Sequence, residues 1–187
     1  MWGRMKDKRG LAGALGVSAL TAKDTGDLGE AHRLFEASLA AARDVGDRIA
    51  EASALGYLGI VAHSLGDFEE AAALYESGLV VRRAVRDSWG IAASLNNLAL
   101  LARDRGEGET AKRLLVESSA LRRSLDDSRS LAISLNVLGR LYCDAGETEQ
   151  GEENFAESLR LCRRLGDRWS MAYSLEHFAD LAEKRGE

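Results

Sequence analysis

The sequence predicts an all-α solenoid, a stack of antiparallel helix pairs with about nine helices. Three observations carry that expectation. The first is a period of 40 residues: Gly26, Gly66, Gly106, Gly146 and Gly186 recur at that step, as do Asp7, Asp47, Asp87, Asp127 and Asp167. Ala12, Ala52, Ala92, Ala132 and Ala172 form a third series, and Leu15, Leu55, Leu95, Leu135 and Leu175 a fourth. A fixed period of this length marks a repeat architecture. The second is apolar spacing inside each period. Ala52, Leu55, Leu58, Gly59 and Ala62 share one helical face, and Ala71, Leu74, Tyr75 and Leu79 share another. The third is composition: the 187 residues are 45% hydrophobic, 29% charged and 6% aromatic, with no Pro. That profile excludes collagen-like and polyproline structure and global disorder, and it favours helix over sheet.

The elements follow in order. Repeats near 7–46, 47–86, 87–126 and 127–166 each hold two helices, near 7–45, 47–85, 87–125 and 127–165, and a terminal helix follows in 167–187. Together they form one repeat domain over 1–187. Within a repeat, a Gly such as Gly66 ends the first helix by turning left-handed just past its C-terminus. The next residue, Asp67 in that repeat, caps the second helix. Gly46, Arg86, Asp126 and Gly166 mark the returns, and the Asp after each caps the following first helix. The first helix is expected to be the weakest, because Gly10, Gly13 and Gly16 each cost about 1 kcal/mol relative to Ala. Its start has an export-signal flavour, with Arg4, Lys6, Lys8 and Arg9 ahead of the apolar stretch 11–22. Asp7, Gly13, Gly16 and Ser18 dilute that pattern, and the segment keeps the register of the repeat. The ninth helix carries the packing face again, as Ala172, Leu175, Phe178, Ala179 and Ala182. Such a face calls for further repeats or for a second copy, so a homodimer through the C-terminal helix is expected.

The order of small and large residues is more specific. Leu55, Leu58, Gly59, Ala62, Gly66, Ala71, Tyr75 and Gly78 resemble the tetratricopeptide repeat: L-x2-L-G, then Ala, an aromatic and a small residue. The neighbouring repeats give Leu95, Leu98, Ala99, Ala102, Gly106, Ala111, Leu115 and Ser118, then Leu135, Leu138, Gly139, Tyr142, Gly146, Gly151, Phe155 and Ser158. The first gives Leu15, Ser18, Ala19, Ala22, Gly26, Ala31, Phe35 and Ser38. Two departures stand out. The family period is 34 residues, and Arg43, Arg83, Arg123 and Arg163 replace its late Pro. Without Pro the second helix need not stop there, so both helices lengthen. Long repeats carrying A-x-S-L-N-x-L, as at 92–98 and 132–138, are similar to arrays in bacterial signal-transduction ATPases and large transcriptional activators. They also resemble the 40-residue repeats of eukaryotic polarity adaptors. The resemblance implies a right-handed α-solenoid whose first helices line a concave groove. It argues against a clamp for chaperone tails, because the first repeat offers Gly16 and Leu20 where such a clamp needs Lys and Asn.

Catalytic signals are missing. His32, His63 and His177 share no spacing and sit in no ligand cluster, which reads as surface or packing His with no metal and no cofactor. Cys143 and Cys162 are not in a C-x-x-C pair and read as free thiols of a reducing, cytoplasmic protein. No phosphate loop and no G-x-S-x-G elbow is present. A net charge of -5 argues against nucleic acid, and no apolar run reaches the ~20 residues needed to span a membrane. The Arg series falls in last helical turns, where a cation meets the negative end of the helix dipole.

What remains is the stripe beside the packing face on each first helix: Ser53, Gly56, Ile60, His63; Ala93, Asn96, Leu100, Arg103; Ile133, Asn136, Arg140, Cys143; Tyr173, Glu176, Asp180, Glu183. Asn96 and Asn136, 40 apart, suggest an open ladder of amides, and an amide can grip a peptide backbone through donor and acceptor together. The candidate contacts are therefore Asn96, Asn97, Leu100, Arg103, Asn136 and Arg140, with Tyr173, Glu176 and Asp180 as an acidic end. The expected function is a non-enzymatic scaffold or sensor that holds a protein or peptide segment. The alternative is a small-molecule-sensing array of a larger signal-transduction or transcription regulator.

Overall fold

The computed structural model describes the backbone of residues 2–185 and the side chains of residues 10–179. Among the described residues there are nine α-helices and no strand: α1 (Trp2–Asp24), α2 (Leu28–Val45), α3 (Arg48–Leu65), α4 (Phe68–Ala84), α5 (Ser88–Asp104), α6 (Gly108–Ser124), α7 (Ser128–Asp144), α8 (Thr148–Leu165) and α9 (Arg168–Arg185). The chain forms two compact units, Met1–Leu101 and Ala102–Glu187. In the first unit α1 packs on α2 and α3 on α4, and in the second unit α7 packs on α8.

The helix boundaries have local causes. Asp27, Asp47, Asp67, Asp87, Asp127 and Asp167 each accept, through Oδ1, a hydrogen bond from the backbone N–H three residues on, at 2.9–3.2 Å. Each such cap is worth about 1 kcal/mol. Glu107 and Glu147 hold the same place ahead of α6 and α8 but make no side-chain cap. The Glu147 carboxylate turns instead to Lys112, whose Nζ lies 2.5 Å from Oε1 and 2.6 Å from Glu109. Those two carboxylates, Glu109 first, raise the Lys112 pKa. The stops obey the left-handed rule even where Gly is missing: Arg86 and Asp126 have φ of 57° and 55°, against 68° and 67° for Gly46 and Gly166 at the same repeat position.

Small residues set the distance between the helices of a pair. Ser38 Oγ donates to the Ala12 carbonyl, and Ser158 Oγ to the Ala132 carbonyl, each at 2.9 Å and across 26 residues. Gly78 takes this place against Ala52, where an added methyl would stand 3.4 Å from the Ala52 oxygen. A second close approach lies under the aromatic position. A methyl on Gly59 would stand 2.6 Å from the Tyr75 ring, and one on Gly139 would stand 2.9 Å from Phe155. The buried rings rest on bare backbone, and burial pushes the Tyr75 hydroxyl pKa up. Successive pairs are joined by stacked rings: Phe35 on Tyr57 in the first unit and Phe155 on His177 in the second, both with centroids 5.0 Å apart.

Polar replacements at the seams find partners. Glu51 is 6% exposed in a series otherwise filled by Leu11, Ile91, Leu131 and Met171, and it is held by Arg43 at 3.0 Å and Arg48 at 2.6 Å. Arg123 reaches Glu157 on the next second helix at 2.8 Å. Arg43 and Arg123 of the Arg series thus pair with Glu of neighbouring helices, while Asp47 and Asp127, four residues on from each, serve as caps. Arg122 donates to the Ser130 carbonyl, and burial lowers its pKa against the pull of Asp127. On α9 the expected packing face is uncovered: Ala172 and Ala179 are exposed, Leu175 is 47% exposed, and Phe178 is half-buried against Phe155. Ala182 lies outside the described side chains.

The left-handed non-glycine residues give the first test. Arg86→Gly relieves a Cβ clash at φ 57° and is expected to raise stability by about 0.5–1 kcal/mol, whereas Gly46→Ala lowers it by about 1 kcal/mol. Urea unfolding midpoints of the two variants check the opposite signs.

Candidate peptide-binding notch

In the second unit, α7 and α9 run side by side as first helices of successive repeats. α7 presents Ile133, Asn136 and Val137, and α9 presents Trp169, Ser170 and Tyr173. The spacings of three and four residues place each set on one helical face. Between them lies a notch of about 290 Å³. Its walls are apolar and open to solvent: Ile133 is 48% exposed, Tyr173 43% and Trp169 89%.

The floor is fixed from below. Asn136 is 4% exposed, and its Oδ1 accepts a 2.9 Å hydrogen bond from Ser174 Oγ, which is fully buried. The Ser174 hydroxyl also lies 3.4 Å from Ser158 Oγ, the residue that ties α8 to α7. Tyr173 rests edge-on against His177 at 4.4 Å, and His177 stacks on Phe155. Ser170 donates to the Asp167 cap from both its N–H and its hydroxyl, and these bonds, with Arg129 at 3.7 Å, lower the Asp167 pKa. The notch is therefore carried by side chains that pack on the helix-pair core.

The sequence-predicted residues fall into three groups. Asn136 and Tyr173 come together in the notch. Asn96, Asn97 and Leu100 are half-buried on α5 in the first unit. Arg103, Arg140 and Glu176 are exposed in the second unit, with Arg103 bonded to Asp104 at 2.8 Å and Arg140 to Asp144 at 3.0 Å. The side chain of Asp180 lies outside the described residues. Asn136 corrects the expectation of an open amide ladder: it is buried, and its carbonyl is occupied within the protein. Trp169, Val137 and Ser170 did not figure among the sequence candidates. A signal existed, since Ile49, Trp89, Arg129 and Trp169 share one repeat position, and the three apolar members are all more than half exposed.

Other polar features are smaller in reach. A wider hollow of about 520 Å³ runs along α8, walled by Glu157, Arg160, Leu161, Arg163 and Arg164. Among the described residues its walls come from α8 alone, and four of the five side chains carry a charge. Cys143 and Cys162 form no disulfide, with Cys162 buried and Cys143 half-buried. Among the described residues no group of His, Cys, Asp and Glu is arranged to hold a metal ion, and no helix is long and apolar enough to cross a membrane.

The tetratricopeptide repeat profile matches residues 11–84 and 90–164. The chain belongs to the tetratricopeptide repeat family. A search of curated proteins returns no sequence match. Among solved structures, BtubC from P. vanneervenii aligns with a TM-score of 0.75 at 21% identity, over 84% of this chain and 65% of that one. Aspartyl phosphate phosphatase F from Bacillus subtilis aligns with a TM-score of 0.85 at 11% identity, over 95% of this chain and 51% of that one. The Rap conjugation gene regulator of plasmid pLS20, solved with a Phr peptide, gives 0.81 at 14% identity, over 89% and 46%. The chain thus spans about half to two thirds of these proteins. At such identities the likeness is one of fold.

Burial of Asn136 sets a measurable consequence. Asn136→Ala removes the acceptor of a buried hydroxyl and opens a small void, and is expected to lower stability by about 1–2 kcal/mol. Arg140→Ala, on the exposed face of the same helix, is expected to stay within about 0.5 kcal/mol of wild type. Urea denaturation of the two variants makes the comparison.

Proposed function

We propose that this tetratricopeptide repeat protein is a non-enzymatic scaffold that holds an extended protein or peptide segment on its first-helix face. The observation that carries the reading is the exposed Trp169–Tyr173 pair facing Ile133 and Val137 across an open notch. Exposed aromatics are the residues that dominate binding energy when a partner covers them. A volume of about 290 Å³ suits one or two side chains, and lies below the usual range for a drug-sized ligand. The fold neighbour solved with a Phr peptide supports the class of ligand by analogy. The neighbour named as a phosphatase shares the fold at 11% identity, and none of the clusters described above supplies a nucleophile with a base.

Candidate contacts beyond the notch are Asn96, Asn97, Leu100, Arg103, Arg140, Glu176 and Asp180, and no cofactor enters the proposal. The setting proposed is cytoplasmic and regulatory. Pairing of two copies through the uncovered Leu175 face of α9 is a separate proposal, and sedimentation equilibrium of the full chain decides it, a monomer at high concentration ruling it out.

Selection of a displayed random peptide library on the full chain, followed by titration of the recovered peptides, tests the function. Trp169→Ala is expected to weaken binding about tenfold or more without loss of helicity. A library that yields no binder, together with a saturable thermal shift from sugars or nucleotides, would favour the small-molecule regulator instead.

A further inference from the structure

One face of α9 lacks the cover that its counterparts have. Ala12, Ala52, Ala92 and Ala132 hold one position in successive first helices, and each is at most 2% exposed. Ala172 holds that position in α9 and is exposed. Leu135 is 3% exposed, and its counterpart Leu175 is 47% exposed. In the pairs α1–α2, α3–α4 and α7–α8 the second helix covers this face, approaching closest at the Ala carbonyl. α9 packs on α8, and a helix laid on its free face continues the interface by which α8 covers α7.

The covering helices share a pattern. α4 buries Ala71, Tyr75 and Gly78, and α8 buries Gly151, Phe155 and Ser158: a small residue, an aromatic four on, and a small residue three further. α9 accepts the same pattern. Its Ala179 stands where Gly139 does, and Ala19 at that position in the first repeat shares a buried cluster with Phe35. The Arg series adds a charge. Arg123 pairs with Glu157 of α8, the residue just before Ser158. Arg43 lines a hollow together with Glu70 and Leu74 of α4. Arg163, at the same repeat position, lines the hollow along α8 with Arg160 and Arg164. Glu157 is the acid of that hollow among the described residues, and it is bonded to Arg123. Arg168 and Glu176, the exposed charges on the described part of α9, are opposite in sign.

We propose that the uncovered face of α9 docks an amphipathic helix of a partner polypeptide, laid as α8 lies on α7. The helix carries the small–aromatic–small pattern, and a Glu just before the last small residue meets Arg163. The site uses other residues of α9 than the notch does, so it adds a second kind of partner to the extended segment. The apolar and small residues set the fit, and the exposed Glu–Arg contact acts on selectivity.

The probe is a fluorescein-labelled peptide of the α8 sequence, residues 148–165 with Cys162→Ser, titrated with the full chain and read by anisotropy. Saturable binding is expected. Leu175→Asp and Ala172→Arg in the protein are each expected to weaken it about tenfold or more without loss of helicity. In the peptide, Phe155→Ala and Ser158→Val are expected to weaken it by about as much. Glu157→Arg in the peptide is expected to cost about threefold, recovered by Arg163→Glu in the protein. Absence of saturable binding overturns the proposal, as does binding that Leu175→Asp and Ala172→Arg leave unchanged. Equal binding of the Phe155→Ala and Ser158→Val peptides overturns the pattern assigned to the partner. A full chain that sediments as a dimer and stays one at saturating peptide gives the face to a second copy and overturns the partner helix. Loss of binding in Trp169→Ala but not in Leu175→Asp puts the peptide in the notch, which overturns this inference and leaves the functional reading standing.

Discussion

The close approach of two helices at a single small residue is the constraint on which the rest of the molecule depends. Ser38 against Ala12, Gly78 against Ala52 and Ser158 against Ala132 occur at the same repeat position. At these points the second helix comes within hydrogen-bond distance of a first-helix carbonyl. Protein interiors tolerate little free volume or overlap, so this contact fixes the spacing of each pair. The bulkier neighbours adapt to it. Tyr75 and Phe155 lie flat where Gly59 and Gly139 expose backbone, and Ala19 lines the cluster around Phe35 in the first repeat. The hydroxyl of Ser158 adds a net gain of about 1 kcal/mol, which is secondary to the distance its small size permits.

From that spacing the candidate site follows. When α7 and α8 are locked at Ala132 and Ser158, Ser158 Oγ lies beside Ser174 Oγ, and Ser174 in turn holds Asn136. The same pair supports Phe155, which carries His177, which carries Tyr173. Both walls of the notch thus inherit their position from the core. Trp169 is the exception: 89% exposed, it is placed by the cap at Asp167 and the first turn of α9 and owes little to packing. Trp recurs at this repeat position as the exposed Trp89 of α5, although packing does not demand it.

Period, caps and small-residue series made the fold legible in the sequence, because each is a local rule repeated several times. The helix limits agree with the Gly and Asp series to within a few residues, and Arg86 and Asp126 occupy the left-handed returns where the period placed them. Side-chain roles on the outer stripe were less legible. Asn136 lay on the expected stripe, yet a serine 38 residues later claims its carbonyl and buries it. Periodicity reports which face a residue occupies, and not which neighbour arrives from the next helix. Trp169 escaped notice because it stands at a helix start, outside the stripe read as groove. The Glu partners of Arg43 and Arg123 come from neighbouring helices, which the position of the Arg series in last helical turns does not reveal.

The most direct measurement of this account is made at Gly78. A serine there is expected to reach the Ala52 carbonyl as its counterparts do, keeping or raising the urea midpoint. A valine at the same place meets the Ala52 oxygen and Leu55 and is expected to cost about 2 kcal/mol or more. Equal stability of Gly78→Ser and Gly78→Val would contradict the claim that close approach at one small residue sets the spacing of the helix pairs.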